Sequence, residues 1–196
     1  VNKLILIIDN YDSFTHNLYQ MAGEIMMEMD SADIMVVRND EVDIDYVRGL
    51  DPERIIISPG PGNPIKREDF GICSEVIGEF TDRPILGVCL GHQGIFHYFG
   101  GVVGYGEPVH GKISEVFHDG SELFRGVPNP FRATRYHSLR CECSGVPEDI
   151  LVSASAPDGT IMAIRHRQYP VYGLQFHPES AGTPHGRDIL ENFLRM

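Results

Sequence analysis

The strongest constraint on this chain's fold is an alternation in its first hundred residues, where short apolar runs are each followed by a stretch with helical spacing. "KLILIIDN" is apolar through five consecutive residues and then turns polar. In "SFTHNLYQMAGEIMMEM", which follows it, Phe14, Leu18, Met21, Ala22 and Ile25 recur at the intervals of one helix face. "ADIMVVRN" and "ERIIISPGPGNP" repeat the strand pattern, while "REDFGICSEVIGEF" and "GHQGIFHYFGG" read as helices, the second stopped by Gly100 and Gly101. Strands that are apolar at every position have no face to give to water. They predict a parallel sheet with helices on both faces and ligands bound at the C-terminal ends of the strands.

The later part of the chain changes character. "GKISEVFHD", "FRATRYHSL", "DILVSASAPDGTIMAIRH" and "VYGLQFHPES" are strand-like, and "PDGT" carries the Asp-Gly signal of a hairpin. "GRDILENFLRM" closes the chain as a helix burying Ile189, Leu190, Phe193 and Leu194 on one side. The expected fold is therefore α/β: an open, mostly parallel but mixed central sheet with helices on both faces, and additional antiparallel strands in the C-terminal half. At 196 residues, with no repeat, low-complexity segment or linker, the chain is expected to be a single domain over 1–196.

Charge and cysteine usage narrow the function classes. Asp and Glu outnumber Lys and Arg 28 to 16, a net charge of -12, and the basic residues are scattered, so nucleic acid is not an expected partner. "LILII" is too short for a signal-peptide core or a membrane span, and four cysteines do not suggest a disulfide framework. A cytoplasmic protein with reduced thiols and no membrane association is expected. "CEC" at Cys141 to Cys143 reads as ordinary strand, and the nine histidines lack ligand spacing, so no metal site is expected.

One corner of the sequence carries chemistry. "PILGVCLGHQG" sets Cys89 between a strand, Ile85 to Val88, and a helix beginning near Gly91, with glycines at 87 and 91. Small flanking residues let a strained turn lift a nucleophile clear of the sheet, and the helix N-terminus beneath it favours a thiolate. Taken alone, the same residues also fit a small buried cysteine. A nucleophilic thiol needs an oriented base, and in "YGLQFHPES" His177 and Glu179 stand two apart in extended backbone, on the same side, with Pro178 between them. "SPGPGNP", Ser58 to Pro64, follows another buried strand. An amide from this loop and the Leu90 amide after the nucleophile would form an oxyanion hole, although Pro-Gly sequences also make plain turns.

Taken together, GVCLGHQ, FHPES and SPGPGNP resemble a class I (triad) glutamine amidotransferase along the whole chain. "NYDSFTHNL", "HGK" at His110 to Lys112 and "RYHSL" at Arg135 to Leu139 are similar to the glutaminase components of anthranilate synthase and 4-amino-4-deoxychorismate synthase. The resemblance implies Cys89 as nucleophile, His177 as base and Glu179 as its orienting partner. It implies that glutamine is held by Gly60, Pro61 and Gly62, by Gln93, and by Ser138 and Leu139. It further implies no cofactor in this chain, and a larger chorismate-using synthase subunit, itself expected to use magnesium, as the partner that receives the ammonia. "YGEPVHGK" reads either as a loop in the docking surface for that partner or as a simple connection between strands. Two residues depart from the family habit: Gly94, where alanine is common, and His16, where tyrosine is. A related γ-glutamyl hydrolase and a scaffold subunit are the rival readings; Gln93 and "RYHSL" speak against the first, the intact triad against the second.

Overall fold

The computed structural model describes residues 4–29 and 33–196; Lys3 and Ala32, the first residues of two predicted strands, lie outside the described residues. The first half alternates as expected. β1 (Leu4–Asp9), α1 (Thr15–Glu28), β2 (Asp33–Arg38), α2 (Ile44–Leu50), β3 (Arg54–Ile57), α3 (Arg67–Phe70), α4 (Cys73–Glu79), β4 (Ile85–Val88) and α5 (Leu90–Tyr98) follow in order. The second half holds β5 (Val103–His118), a short 3-10 turn at Glu122–Phe124, β6 (Phe131–Cys141), β7 (Ile150–Ser155), β8 (Ile161–His166), β9 (Val171–Leu174) and α6 (Gly186–Leu194).

Among the described residues nine strands join in one sheet, ordered β2-β1-β3-β4-β9-β8-β7-β5-β6. β2, β1, β3, β4 and β9 run parallel, and every pairing from β9 to β6 is antiparallel. The antiparallel strands thus continue the parallel ones across β9. Alternation along β1 explains the two cores. Ile5 and Ile7 pack with Leu18, Ala22 and Ile25 of α1 and Ile189, Leu190 and Phe193 of α6, whereas Leu6 and Ile8 pack with Val47 of α2, Val76 and Ile77 of α4 and Ile95 of α5. Each such fully buried aliphatic side chain stabilises the fold by roughly 1.5–3 kcal/mol.

Several elements differ from the sequence reading. The single helix expected over "REDFGICSEVIGEF" is two, broken at Gly71, whose backbone at φ +52 lies so close to the Asn39 carbonyl that no Cβ would fit. Cys73, expected in mid-helix, therefore begins α4. "YGEPVHGK" is not a loop: it lies within β5 and pairs with β6, with register shifts between Tyr105 and Val109 and between His110 and Lys112 that absorb its glycines and proline. Cys141 ends β6, but Cys143 lies beyond the strand, exposed, with its thiol donating to the Gly159 carbonyl at 3.1 Å. α2 went unread; the Asp43 carboxylate caps it by accepting from the Tyr46 N–H at 2.8 Å. Among the described residues no helix is long and apolar enough to cross a membrane.

Candidate active site

The centre of the site is the junction of β4 and α5. Cys89 is held at φ +52, one of three described non-glycine residues in the left-handed region, and its amide donates to the Leu174 carbonyl of β9 at 2.7 Å. The flanking glycines make this corner possible. A Cβ on Gly87 would stand 2.4 Å from the Gly91 backbone, and one on Gly91 would stand 2.4 Å from the Ile57 carbonyl oxygen. Strand and helix can approach this closely only without side chains there. Gly94, the departure noted in the sequence, faces Phe70, whose ring occupies the place a methyl group would take, 2.1 Å from an added Cβ.

His177 and Glu179 come to the same corner from the end of β9. The His177 Nδ1 lies 2.5 Å from the Glu179 Oε1, and both side chains are buried. The backbone around them is pinned: the His177 amide donates to the Thr134 carbonyl, and the Thr183 hydroxyl donates to the His177 carbonyl at 2.8 Å. Phe14, from the "NYDSFTHNL" segment, and Tyr136 of β6 each set a ring 5.4 Å from the imidazole. Burial works against charge on the His177 ring, but the Cys89 sulfur and the Glu179 carboxylate outweigh it, and the net effect holds this imidazole above its usual range. The carboxylate occupies Nδ1, leaving Nε2, which is buried, for the sulfur.

In front of Cys89 lies a cavity of about 170 Å³, lined by Gly60, Pro61, Gly62, Cys89, Gln93, His110, Tyr136, His137, Ser138 and Leu139. Its occupant must be small, since drug-sized ligands use roughly 300–1,000 Å³. The Pro-Gly loop on one wall is tied down by Asn10, which receives a hydrogen bond from the Asn39 amide and whose amide group donates to the Ser58 carbonyl at 2.9 Å. An added Cβ on Gly60 would lie 2.5 Å from the Leu90 side chain, so the two backbone segments expected to supply oxyanion donors are neighbours. Leu90 opens α5, where the first amides have no acceptor within the helix.

The opposite wall is a β6 ledge held from behind. Arg135, buried, donates to His137 Nε2 at 3.1 Å, to Asp158 at 2.8 Å and to the Thr160 hydroxyl at 3.0 Å. His137 Nδ1 meets the Leu139 carbonyl at 3.0 Å, and because Arg135 can only donate, Nδ1 carries the proton. Burial, and next the Arg135 charge, push His137 down to about 4; burial, and next His137, push His92 down to about 3. His92 Nε2 stands 3.3 Å from the buried thiol of Cys141.

The ten residues expected to act in catalysis or to hold glutamine thus lie at one place: seven line the cavity, Leu90 follows Cys89 beside it, and His177, paired with Glu179, interacts with the Cys89 sulfur. The sequence reading missed Tyr136 and His137 as cavity residues, although both lie inside the "RYHSL" motif, and it did not expect His110, in the segment read as a docking loop or a simple connection, on the cavity wall.

Comparison with known proteins agrees with this geometry. A family model described as glutamine amidotransferase class-I matches residues 6–196. Anthranilate synthase component 2 of Methanothermobacter thermautotrophicus is 73% identical over 195 residues, covering 98% of this chain and 99% of that one. The aminodeoxychorismate/anthranilate synthase component 2 of Bacillus subtilis is 47% identical, covering 97% and 95%. A solved glutamine amidotransferase of Thermotoga maritima, at 14% identity, superposes with a TM-score of 0.80 over 100% of this chain and 97% of that one, and so shares the fold.

Proposed function

This chain belongs to the class-I glutamine amidotransferases, and from that premise we propose that it is the glutaminase component of an anthranilate synthase, delivering ammonia from glutamine to a chorismate-using partner. The observation that carries the reading is a cysteine at positive φ, facing a small cavity and backed by a buried His177–Glu179 pair at 2.5 Å.

The proton account closes over the cycle. The Cys89 thiolate attacks the side-chain amide carbon of glutamine, and the Gly60 and Leu90 amides receive the charge that develops on oxygen. The carbon–nitrogen bond breaks as imidazolium His177 passes its Nε2 proton to the leaving nitrogen, releasing ammonia and leaving a glutamyl thioester. Neutral His177 then takes a proton from water as the water oxygen attacks. The carbon–sulfur bond breaks, thiolate and imidazolium result, and the new γ-carboxyl group gives its remaining proton to solvent as glutamate leaves. Glu179 keeps Nδ1 engaged, so that Nε2 is the atom that moves protons.

Gln93 suits a part in holding glutamine. Both hydrogens of its amide are spent on the Leu139 carbonyl and Gln175 Oε1, which leaves its own oxygen as an acceptor for an ammonium group. The partner would meet the β5–β6 arm beside the cavity, where Tyr105 and Ile113 are exposed and His110 reaches the cavity wall. Glutamate release and anthranilate formation, measured with the synthase, test the reading. Cys89→Ala is expected to abolish glutamine-dependent product while ammonia-supported product persists. Full glutamine-dependent activity in that variant would overturn it.

A second reading, service to 4-amino-4-deoxychorismate synthesis, is favoured by the double name of the Bacillus subtilis relative. The aromatic product made with each synthase separates the two branches.

A further inference from the structure

Gln175 follows β9 directly, is wholly buried, and has no part in the triad or the cavity wall. Its amide nitrogen stands 3.7 Å from the Cys89 sulfur, and its Oε1 accepts from Gln93 Nε2 at 3.1 Å. Gln93 Nε2 also donates to the Leu139 carbonyl at 2.9 Å. The polarity of this relay is determined at its far end. A backbone carbonyl can only accept, so Gln93 must turn its NH2 toward it; Gln175 then presents oxygen to Gln93, and its own NH2 is left to face the sulfur.

The sulfur has a second polar neighbour of opposite character. The Tyr136 carbonyl lies 3.6 Å away and can accept from the thiol, but offers nothing to a thiolate. A neutral Cys89 is served by Tyr136, and an ionised one by Gln175. We propose that Gln175 is a positioning residue for the nucleophile: its side-chain NH2, oriented from the Leu139 carbonyl through Gln93, donates to the ionised Cys89 sulfur and holds it in the attacking position. The proposal rests on the reading of Cys89 as nucleophile. It also gives Gln93 a second role, since the residue that would hold glutamine sets the amide that holds the sulfur.

The test follows the rate at which iodoacetamide alkylates Cys89 against pH, read site by site by mass spectrometry so that exposed Cys143 does not intrude. Gln175→Met keeps the length of the side chain and removes the donor. At pH 7 it is expected to alkylate roughly tenfold more slowly. Its profile should move to higher pH while the limiting rate at high pH is unchanged, because a fully ionised sulfur no longer depends on the donor. Gln175→Glu should be slower still, and glutaminase kcat should fall with the alkylation rate, with KM for glutamine changing less. An unmoved pH profile, or an equal slowing at every pH, would assign Gln175 a packing role and overturn the proposal.

If the variants do not fold, the unmodified protein decides. With glutamine side chains labelled with nitrogen-15, the Gln175 amide resonances should shift when Cys89 is alkylated, and indifference would overturn the proposal. Alkylation needs no glutamine. Retained glutaminase activity in Cys89→Ala would therefore remove the nucleophile reading, while an unmoved profile would remove only the role of Gln175.

Discussion

The two halves of the sheet hold their parts of the site by different physics. In the parallel half, from β2 to β9, the reacting groups sit at strand ends, and their positions come from apolar burial and backbone contact: Cys89 at φ +52, Gly87 against Gly91, and the Cys89 amide on β9. In the antiparallel half, from β8 to β6, the cavity wall is held by a polar network in which one buried guanidinium ties His137, Asp158 and Thr160 behind Ser138 and Leu139. The first arrangement leaves no slack for a reacting atom. The second fixes a surface through bonds that can be lost singly, so damage there should weaken binding before it stops chemistry.

The sharpest challenge to that division is Gly87→Ala. Its Cβ would meet backbone at 2.4 Å, with no flexible side chain to yield, so a stability loss of about 4 kcal/mol or more and no measurable glutaminase activity are expected in urea unfolding and glutamate assays. Glu179→Gln comes next, with kcat lower by roughly 10³-fold and little change in fold. Because the Cys89 sulfur and Glu179 raise His177 against the opposing effect of burial, losing the carboxylate should also move the alkaline limb of the pH profile to lower pH. In the intact protein the stability from this raised imidazole is full below the unfolded value of about 6.5 and is lost as pH rises through the folded one.

A milder effect is expected in the antiparallel half. Asp158→Ala leaves buried Arg135 without its carboxylate, destabilising by about 2 kcal/mol and raising KM for glutamine while sparing most of kcat. If kcat fell as far as in Glu179→Gln, the two halves would not divide the work in this way. Burial tends to raise the Asp158 carboxyl, but hydrogen bonds from Arg135 and Thr160 hold it down near about 2. Its support should therefore persist down to about pH 4 and be lost as pH falls from there toward about 2.

A last effect crosses the two halves. His92 on α5 and His137 on β6 are both kept neutral, chiefly by burial, whereas the unfolded chain protonates them near pH 6.5. Stability should decline as pH drops from 7 to about 4, and the decline should be shallower in His137→Asn.

The same contrast governs how much could be read from the sequence. β1, β3 and β4 were legible because burial on both faces leaves unbroken apolar runs, and the elbow was legible because its glycines answer a close approach between consecutive elements. The break at Gly71 was not, since the Asn39 carbonyl that forces it lies some thirty residues earlier in the chain. α2 was missed because it buries only Val47, too little for a periodic signal. The reach of β5 was hidden because its pairing with β6 is through backbone, under a sequence of glycine, proline and exposed residues. Gln175 looked like one more strand position in "GLQFHPE"; its role depends on Gln93 and Leu139, which only the folded chain brings to it.

Among the described residues β9 is the last strand, yet it lies in the middle of the sheet, between β4 and β8. As the polypeptide leaves the ribosome, β4 and the elbow emerge long before the strand whose Leu174 carbonyl receives the Cys89 amide, and before the histidine that would serve the sulfur. A nascent chain therefore carries an unassembled thiol until β9 has emerged, and a chain that stops short of it lacks both the acceptor for the Cys89 amide and His177. The dependence on such distant contacts also makes the centre of the sheet a late and slow step of folding.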